Sequence, residues 1–508
     1  MIDKKASYTL EEIKSSYQLL ETGKAHIANG HESEAERIFR RLIDDFPEYY
    51  AAHRSLAGLY IKRKNYQLAF QHLALALAGD NLDYYSMLNL EAIAFELGQI
   101  DAGEQLSLMI ETIGSQLGLK KHSDVHYFNK GNILLKKNEY KKASIEYKKC
   151  LRSKRNSEQP AIKLIRCYIH MGQHKEALAL CESYLSKKPD RAFQFVQSIA
   201  SLPTRFIKKN TKRYLRIAND FAPLDDEQQI MKMFTVAKYE HVSKNYKQAW
   251  SLVREANQRI RKDVEGAHLY TVEREKELMQ WAKDLRVKKK TPQDNQSEAI
   301  PLYILGPSRS GKTSLETALE WLPGYRKGHE CKILSQSTSH AFNTGDQLPS
   351  GALAMLPDDL MPEFANFYRS AFRQSAKDAS VYTTTTPGLI GNVPAILYAK
   401  PDAKFIFLHR APDDVAFRMF FTNYRTGNLY SYDLAWCRAY ISWYYELVDI
   451  WSKKFQQSIL IINYEEMINH PNLEVKRVLE FIGRDDKVPE DMEIPGDHGF
   501  SYPYLDMR

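Results

Sequence analysis

Small residues recur through the first half of this chain at a fixed interval. Ala35, Ala69 and Gly103 are 34 residues apart, Ala143 follows after 40 and Ala177 after another 34, and Ala249 opens a later unit. Five positions before each stand Gly30, Lys64, Gly98, Asn138, Gly172 and Lys244, where a short turn would join two helices. Bulky residues follow four positions on at Phe39, Leu73, Tyr147 and Cys181, one helical turn along the same face. Gly23 and Gly131 lie twelve positions before the small residue, where two helices must come close. A chain with this period folds as stacked helix pairs, each burying its apolar stripe against the next. Residues 190–228 fit the period poorly and are expected to form an irregular helix pair.

The period resembles that of tetratricopeptide (TPR) repeats over about residues 8–262. The resemblance implies an all-α superhelix whose concave face suits a peptide or a protein partner. The helical domain is expected over 8–285. Residues 286–298 are polar, contain Pro292 and lack periodicity, so they read as a linker whose lysines form a solvated helix end. At 508 residues, 44% hydrophobic and 26% charged, the chain is neither collagenous nor disordered throughout, nor a disulfide-dense mini-protein. The opening Met1-Ile-Asp-Lys-Lys5 lacks an apolar core of signal-peptide type, and no run of about 18 apolar residues occurs. Cys150, Cys167, Cys181, Cys331 and Cys437 are odd in number without CxxC spacing, which reads as reduced thiols in a cytoplasmic protein with no membrane span.

Beyond the linker, short apolar runs alternate with helices. Ile300–Leu305, Lys404–His409 and Ser458–Asn463 read as buried strands, each leading into a helix, and the first of these helices is expected over Thr313–Trp321. This alternation predicts an α/β domain over 299–508 with a mainly parallel sheet, binding its ligand at the carboxyl ends of the strands. The formal charge is +8 overall and −4 over residues 301–508, which leaves +12 on the first 300. An anion bound by the second domain must therefore be held by local groups, and the basic helical region favours an acidic partner or is a solvated face.

Gly306-Pro-Ser-Arg-Ser-Gly-Lys-Thr313 joins the first strand to its helix and satisfies G-x-x-x-x-G-K-[ST]. Glycines let such a loop curl around an anion, its N–H groups converge, and the helix N-terminus adds positive potential. A nucleoside triphosphatase would also need an apolar strand ending in Asp to hold Mg²⁺. The later strands end instead in His409-Arg410 and Asn463, with Asp413 and Asp414 a few residues further on. The same loop resembles the G-x-P-R-S-G-T-T loop of sulfotransferases. Phe407-Leu-His-Arg-Ala-Pro-Asp-Asp-Val415 resembles their 3′-phosphate motif, and Ile462-Asn-Tyr-Glu-Glu-Met467 a further shared element. The whole chain is thereby similar to the bacterial TPR–sulfotransferase family, over about residues 17–483.

That resemblance implies a two-part fold, a TPR superhelix followed by a P-loop-like α/β sulfotransferase domain. It also implies sulfuryl transfer from 3′-phosphoadenosine 5′-phosphosulfate to an acceptor hydroxyl or amine without a metal. By position, Arg309, Ser310, Gly311, Lys312, Thr313 and Ser314 would line the 5′-phosphosulfate site, and Arg410 would hold the 3′-phosphate as a planar fork. Arg418 stands where the family places a phosphate-binding serine, and it either strengthens the grip or obstructs the site. Glu330 in Gly328-His-Glu-Cys331 is assigned as the base and His329 as its nearest substitute; an exposed loop carboxylate is the alternative reading. The family's Asp-Lys-x-Pro loop is Tyr382-Thr-Thr-Thr-Thr-Pro387 here, so Lys312 would take over stabilisation of the leaving group. The aromatic helix Trp436–Trp451 is expected in the core, whereas Tyr430 and Tyr432, in a loop, are candidates for substrate contact. The tail after Gly483 lacks the family's site-closing segment. Two other readings stay open: a catalytically weak TPR adaptor, and a P-loop NTPase or kinase. The acceptor is a peptide tyrosine, a saccharide or a small molecule, with no nucleic acid expected.

Overall fold

The computed structural model describes residues 9–79, 83–119, 122–153, 157–286, 299–328, 331, 333–342, 359–424, 427–490, 492–494 and 500–507. The chain forms two compact units, Met1–Lys209 and Asn210–Arg508.

The first unit is built of antiparallel helix pairs: α1 (Leu10–Ala28) with α2 (Glu32–Asp45), α3 (Tyr50–Lys62) with α4 (Tyr66–Gly79), and α5 (Tyr84–Glu96) with α6 (Ile100–Gln116). The pairs α7 (Asp124–Lys136) with α8 (Tyr140–Ser153), and α9 (Glu158–His170) with α10 (His174–Leu185), continue the array. Each turn between partners falls on the anticipated residue. Gly30, Lys64, Gly98, Asn138 and Gly172 all take positive φ, the left-handed backbone that ends one helix and redirects the chain. Ala35, Ala69, Ala143 and Ala177, with Phe39, Leu73, Tyr147 and Cys181, are wholly buried. Added Cβ atoms at Gly23 and Gly131 would lie 2.4 Å from the Phe39 ring and 2.7 Å from the Tyr147 ring, so the close approach needs glycine. The poorly periodic stretch is a run of short pieces, α11 (Ala192–Ile199) and the four-residue α12 (Thr204–Ile207), and the boundary between the units follows directly.

The second unit begins with α13 (Thr211–Asp220), α14 (Asp226–Val242) and the 39-residue α15 (Tyr246–Asp284). Next come β1 (Ile300–Leu305), α16 (Lys312–Leu319), β2 (Tyr325–Lys327), α17 (Ile333–Phe342), α18 (Met361–Ala376), β3 (Val381–Thr384) and α19 (Val393–Ala399). The last elements are β4 (Lys404–His409), α20 (Pro412–Phe420), α21 (Leu434–Lys454), β5 (Ile459–Asn463), α22 (Tyr464–Asn469) and α23 (Pro471–Phe481). The strands form one parallel sheet in the order β2-β3-β1-β4-β5. Period-two alternation sends Leu302, Ile304, Ile406 and Leu408 to one face, against α16, α22 and α23. Tyr303, Leu305, Phe405 and Phe407 go to the other face, against α18, α19 and α21. Helices on both faces make the three-layer α/β arrangement expected of a parallel sheet.

The domain boundary expected at 286–298 differs from the compact division at 209/210. Residues 210–285 continue the helical pattern, but their apolar face meets the α/β layers. Met233, Phe234, Ala249 and Val253 of α14 and α15 pack on Val415, Met419, Phe420 and Ile441 of α20 and α21. Asn257 Nδ2 donates to the Phe420 carbonyl at 2.8 Å, and Trp443 Nε1 to that of Glu275 at 3.0 Å. Residues 287–298 lie outside the described residues. None of the described helices is long and apolar enough to cross a membrane, and all five cysteines are free thiols.

Candidate functional site

β1 and β4 are neighbours whose outgoing connections run in opposite directions across the sheet, which opens a crevice at their carboxyl ends. The loop from β1 fills one wall. Gly311 caps α16 at φ +101°, and a Cβ there would stand 2.2 Å from the Tyr464 ring. Arg309 also takes positive φ (+68°), strain of the kind that concentrates at functional sites, and its exposed guanidinium faces the Tyr424 ring at 5.9 Å. Thr313 is exposed and Ser314 half-buried in the first turn of α16, where the Ser314 N–H donates to the Gly311 carbonyl at 2.9 Å. Ser310 is wholly buried beside Gly306, its hydroxyl without a hydrogen-bond partner among the described residues. Lys312 is buried, and its ammonium donates to the carbonyls of Gly306 (2.7 Å) and Pro307 (2.9 Å). The lysine therefore braces the loop from within.

The turn after β4 forms the facing wall. Arg410 is 3% exposed and lies with its guanidinium 3.9 Å from the centre of the Tyr464 ring. Its Nε and Nη2 donate to Asp414 Oδ2 at 3.0 and 2.5 Å, and its Nη1 to the Arg309 carbonyl at 3.2 Å. Arg418 Nε reaches the same Asp414 oxygen at 3.1 Å, while its guanidinium covers Phe500 at 4.7 Å. The two arginines and the Ser501 N–H (3.1 Å) hold the Asp414 carboxyl below its ordinary pKa against the opposing effect of burial. The Tyr445 hydroxyl accepts from the Arg410 N–H at 3.2 Å and donates to its carbonyl at 2.7 Å, and Glu465 accepts from the Ala411 N–H. Tyr464 thus serves both walls, packing on Gly311 and under Arg410.

A third loop leaves β2 at Gly328, whose N–H donates to the Thr383 carbonyl at 2.9 Å, and returns at Cys331, whose thiol donates to Thr384 Oγ1 at 3.3 Å. Thr386 Oγ1 donates to the Cys331 carbonyl at 3.3 Å. Both ends of the loop are anchored at the carboxyl edge of the sheet. His329 and Glu330 themselves lie outside the described residues. Thr383 is committed elsewhere, to the buried carboxylate of Glu316 at 2.8 Å. Among the described residues no group of three or more His, Cys, Asp or Glu is arranged to hold a metal.

Comparison with known families matches residues 301–487 to the sulfotransferase family and residues 20–84 to tetratricopeptide repeats. The chain joins TPR repeats to a sulfotransferase-family domain. No curated protein matches it. Among solved structures it is similar to the protein of a study titled as the functional characterisation of Pseudomonas aeruginosa pilF, at 15% identity over 48% of this chain and 91% of that one (TM-score 0.31). It is also similar to MamA, at 16% identity over 35% and 94% (TM-score 0.30), and to a tetratricopeptide repeat protein from Parabacteroides merdae, at 16% over 48% and 93% (TM-score 0.37).

Within the sulfotransferase-family domain, the two arginine-bearing loops meet across the β1–β4 crevice. Three contributors escaped the sequence reading. Tyr464 lies in a quoted motif, yet its role needs the fold to bring residues 311, 410 and 464 together. The tail, read as lacking a closing segment, returns: Ser501 binds Asp414, and fully buried Tyr504 bonds to His241 Nδ1 at 2.6 Å. Asp414 is the counter-charge for both arginines, a pairing signalled only by its i, i+4 spacing from each. The loop tyrosines read as substrate contacts are buried and bonded within the protein. The Tyr430 hydroxyl donates to Asn428 Oδ1 at 2.5 Å, and that of Tyr432 to the Tyr424 carbonyl.

Proposed function

We propose that the domain transfers a sulfuryl group from 3′-phosphoadenosine 5′-phosphosulfate to an acceptor hydroxyl of a peptide tyrosine, a saccharide or a small molecule, while the repeats dock the acceptor or a protein partner. The observation that carries this reading is the 3.2 Å bond from Arg410 Nη1 to the Arg309 carbonyl, which joins the two expected anion loops at one crevice. The donor fits the residues present: Ser310 offers a buried hydroxyl with no hydrogen-bond partner among the described residues, and Gly311 at positive φ turns the loop tightly into α16 against Tyr464. Arg309, Lys312, Arg410 and Arg418 bring four cations to the crevice, where Asp414 pairs with two of them and Glu465 accepts from the Ala411 N–H.

The donor supplies an activated sulfur–oxygen bond to a phosphate. The acceptor oxygen attacks sulfur, that bond breaks, and the electron pair leaves on the 5′-phosphate oxygen. Arg309 meets the developing charge with Lys312 behind it, and Ser310, Gly311, Thr313 and Ser314 hold the phosphosulfate in line. Arg410 and Arg418 take the 3′-phosphate. Glu330 receives the acceptor proton, with His329 next to it in the loop anchored by Gly328 and Cys331.

A binding-only relative is the second reading, favoured by one observation: Asp414 already occupies Nε and Nη2 of Arg410. The nucleotide-hydrolase reading loses support because Asp413 and Asp414 are both paired with arginines, Asp413 with Arg438 at 2.7 Å. Calorimetry with adenosine 3′,5′-bisphosphate, with and without Mg²⁺, tests the donor site; binding of ATP alone, and only with Mg²⁺, would overturn it. Transfer of radiolabelled sulfate to any acceptor, lost in Arg309→Ala, separates the enzyme from the binding-only relative.

A further inference from the structure

Away from this crevice, α15 and α21 enclose a second cavity of about 170 Å³. Three large aromatic residues, Trp436, Tyr440 and Trp443, line it together with His268 and Glu275. Their rings are fixed. His268 stacks on Trp436 at 3.8 Å, Tyr440 on Tyr430 at 3.7 Å, and Trp443 donates its Nε1–H to the Glu275 carbonyl at 3.0 Å. Into this aromatic setting α15 brings one carboxyl group. Among the described residues no side chain bonds to the Glu275 carboxyl, whereas the other acids along this face are paired: Glu273 with Lys276 at 2.8 Å, and Asp433 with Arg261 at 2.5 Å.

We propose that the α15–α21 cavity binds a small organic cation, an alkylammonium head group held by the Glu275 carboxylate and the rings of Tyr440 and Trp443, beside Trp436, whose faces are taken by His268 and the Arg261 guanidinium (4.6 Å). Electron-rich ring faces attract cations, and quaternary ammonium groups are recognised by such cages. A carboxylate moved from water into an apolar cavity is unfavourable until a positive charge joins it. Burial pushes the Glu275 carboxyl up to about 7, and the described cations around the cavity are engaged elsewhere, Lys276 with Glu273 and Arg261 with Asp433 and the Trp436 ring. The groups facing it agree. Burial lowers the His268 pKa and keeps its ring neutral, the Tyr440 hydroxyl is driven upward and stays protonated, and Lys276 is turned to Glu273. The volume falls below the roughly 300 Å³ of pockets that take whole drug-sized ligands, which fits a head group. A lone carboxylate with aromatic neighbours is a poor metal site, because hard cations require six or more oxygen ligands. The inference is independent of the sulfuryl-transfer reading.

Saturation-transfer NMR on the full chain at pH 8 and constant ionic strength tests it, with tetramethylammonium as probe and tert-butanol as neutral isostere. Saturable binding of tetramethylammonium is expected, at least tenfold tighter than of tert-butanol and weakened about tenfold in Glu275→Gln. Equal affinity for the two probes, no saturable binding, or unchanged affinity in a folded Glu275→Gln overturns the proposal. If that variant does not fold, the comparison of the two probes on the unaltered protein still decides.

Discussion

Replacing Asp414 by asparagine keeps the shape of the side chain and removes a charge that Arg410 and Arg418 share. In the native site one oxygen accepts three guanidinium N–H groups at 3.0, 2.5 and 3.1 Å, and the residue is 2% exposed. Breaking a buried ion pair from one side costs about 3–5 kcal/mol, because the surviving charge stays desolvated. Arg418 retains some solvent contact, which favours the lower end, about 3 kcal/mol. For a unit spanning residues 210–508 that corresponds to a Tm lowered by about 5 °C. The assay is selective, since all six tryptophans lie beyond residue 209 and their fluorescence reports the second unit alone. Adenosine 3′,5′-bisphosphate should return more stability to the variant than to the native protein, its phosphate replacing the lost carboxylate. The pH dependence has a definite sign: the folded-state pKa is depressed, so the stabilisation is complete above the unfolded carboxyl's value of about 3.9 and fades as pH falls through the lower folded value. A variant melting within 2 °C of the native protein would refute the counter-charge argument.

Arg410→Lys should weaken adenosine 3′,5′-bisphosphate binding by about ten- to a hundredfold in calorimetry, since an ammonium cannot span Asp414 and the Arg309 carbonyl while lying flat on Tyr464. Gly311→Ala should abolish that binding and destabilise the second unit, because its Cβ meets the Tyr464 ring at positive φ; native-like affinity would show that the loop relaxes freely. Glu330→Gln should slow sulfate transfer by roughly 10²–10⁴-fold with nucleotide affinity unchanged, so an unaltered rate removes Glu330 as base. Tyr504→Ala should cost about 3–5 kcal/mol, read again by tryptophan fluorescence, as it empties a fully buried aromatic site and removes the hydrogen bond to His241 Nδ1.

The helix pairs were legible because their signals are local. A turn that needs left-handed backbone selects glycine or asparagine, a tight crossing selects glycine, and Gly30, Asn138 and Gly131 each sit where that logic puts them. The strands β1, β4 and β5 announced themselves as buried apolar runs, whereas β2 and β3 did not. Tyr325–Lys327 is three residues long, and Val381–Thr384 leads into a run of threonines. Both loops of the crevice were legible as motifs. Their mutual geometry was not, because the Arg410–Arg309, Asp414–Ser501 and Gly311–Tyr464 contacts join segments about 90 to 150 residues apart, a separation that local periodicity cannot report. The same limit hid the fate of α14 and α15. Their pattern matches a repeat, and only the packing reveals that Val253 and Trp250 answer to Met419 and Phe420.

That packing bears on how the protein can be dissected. The polar seam at 286–298 invites a cut, yet a fragment starting at Ala299 would leave Val415, Met419 and Ile441 facing water and deprive the Phe420 carbonyl of the amide that caps it. A fragment starting at Asn210 keeps the surface sealed. In this architecture the last helical hairpin travels with the α/β layers as part of their foundation, so shuffling such modules in evolution or in the laboratory has to respect a joint three helices upstream of the obvious one.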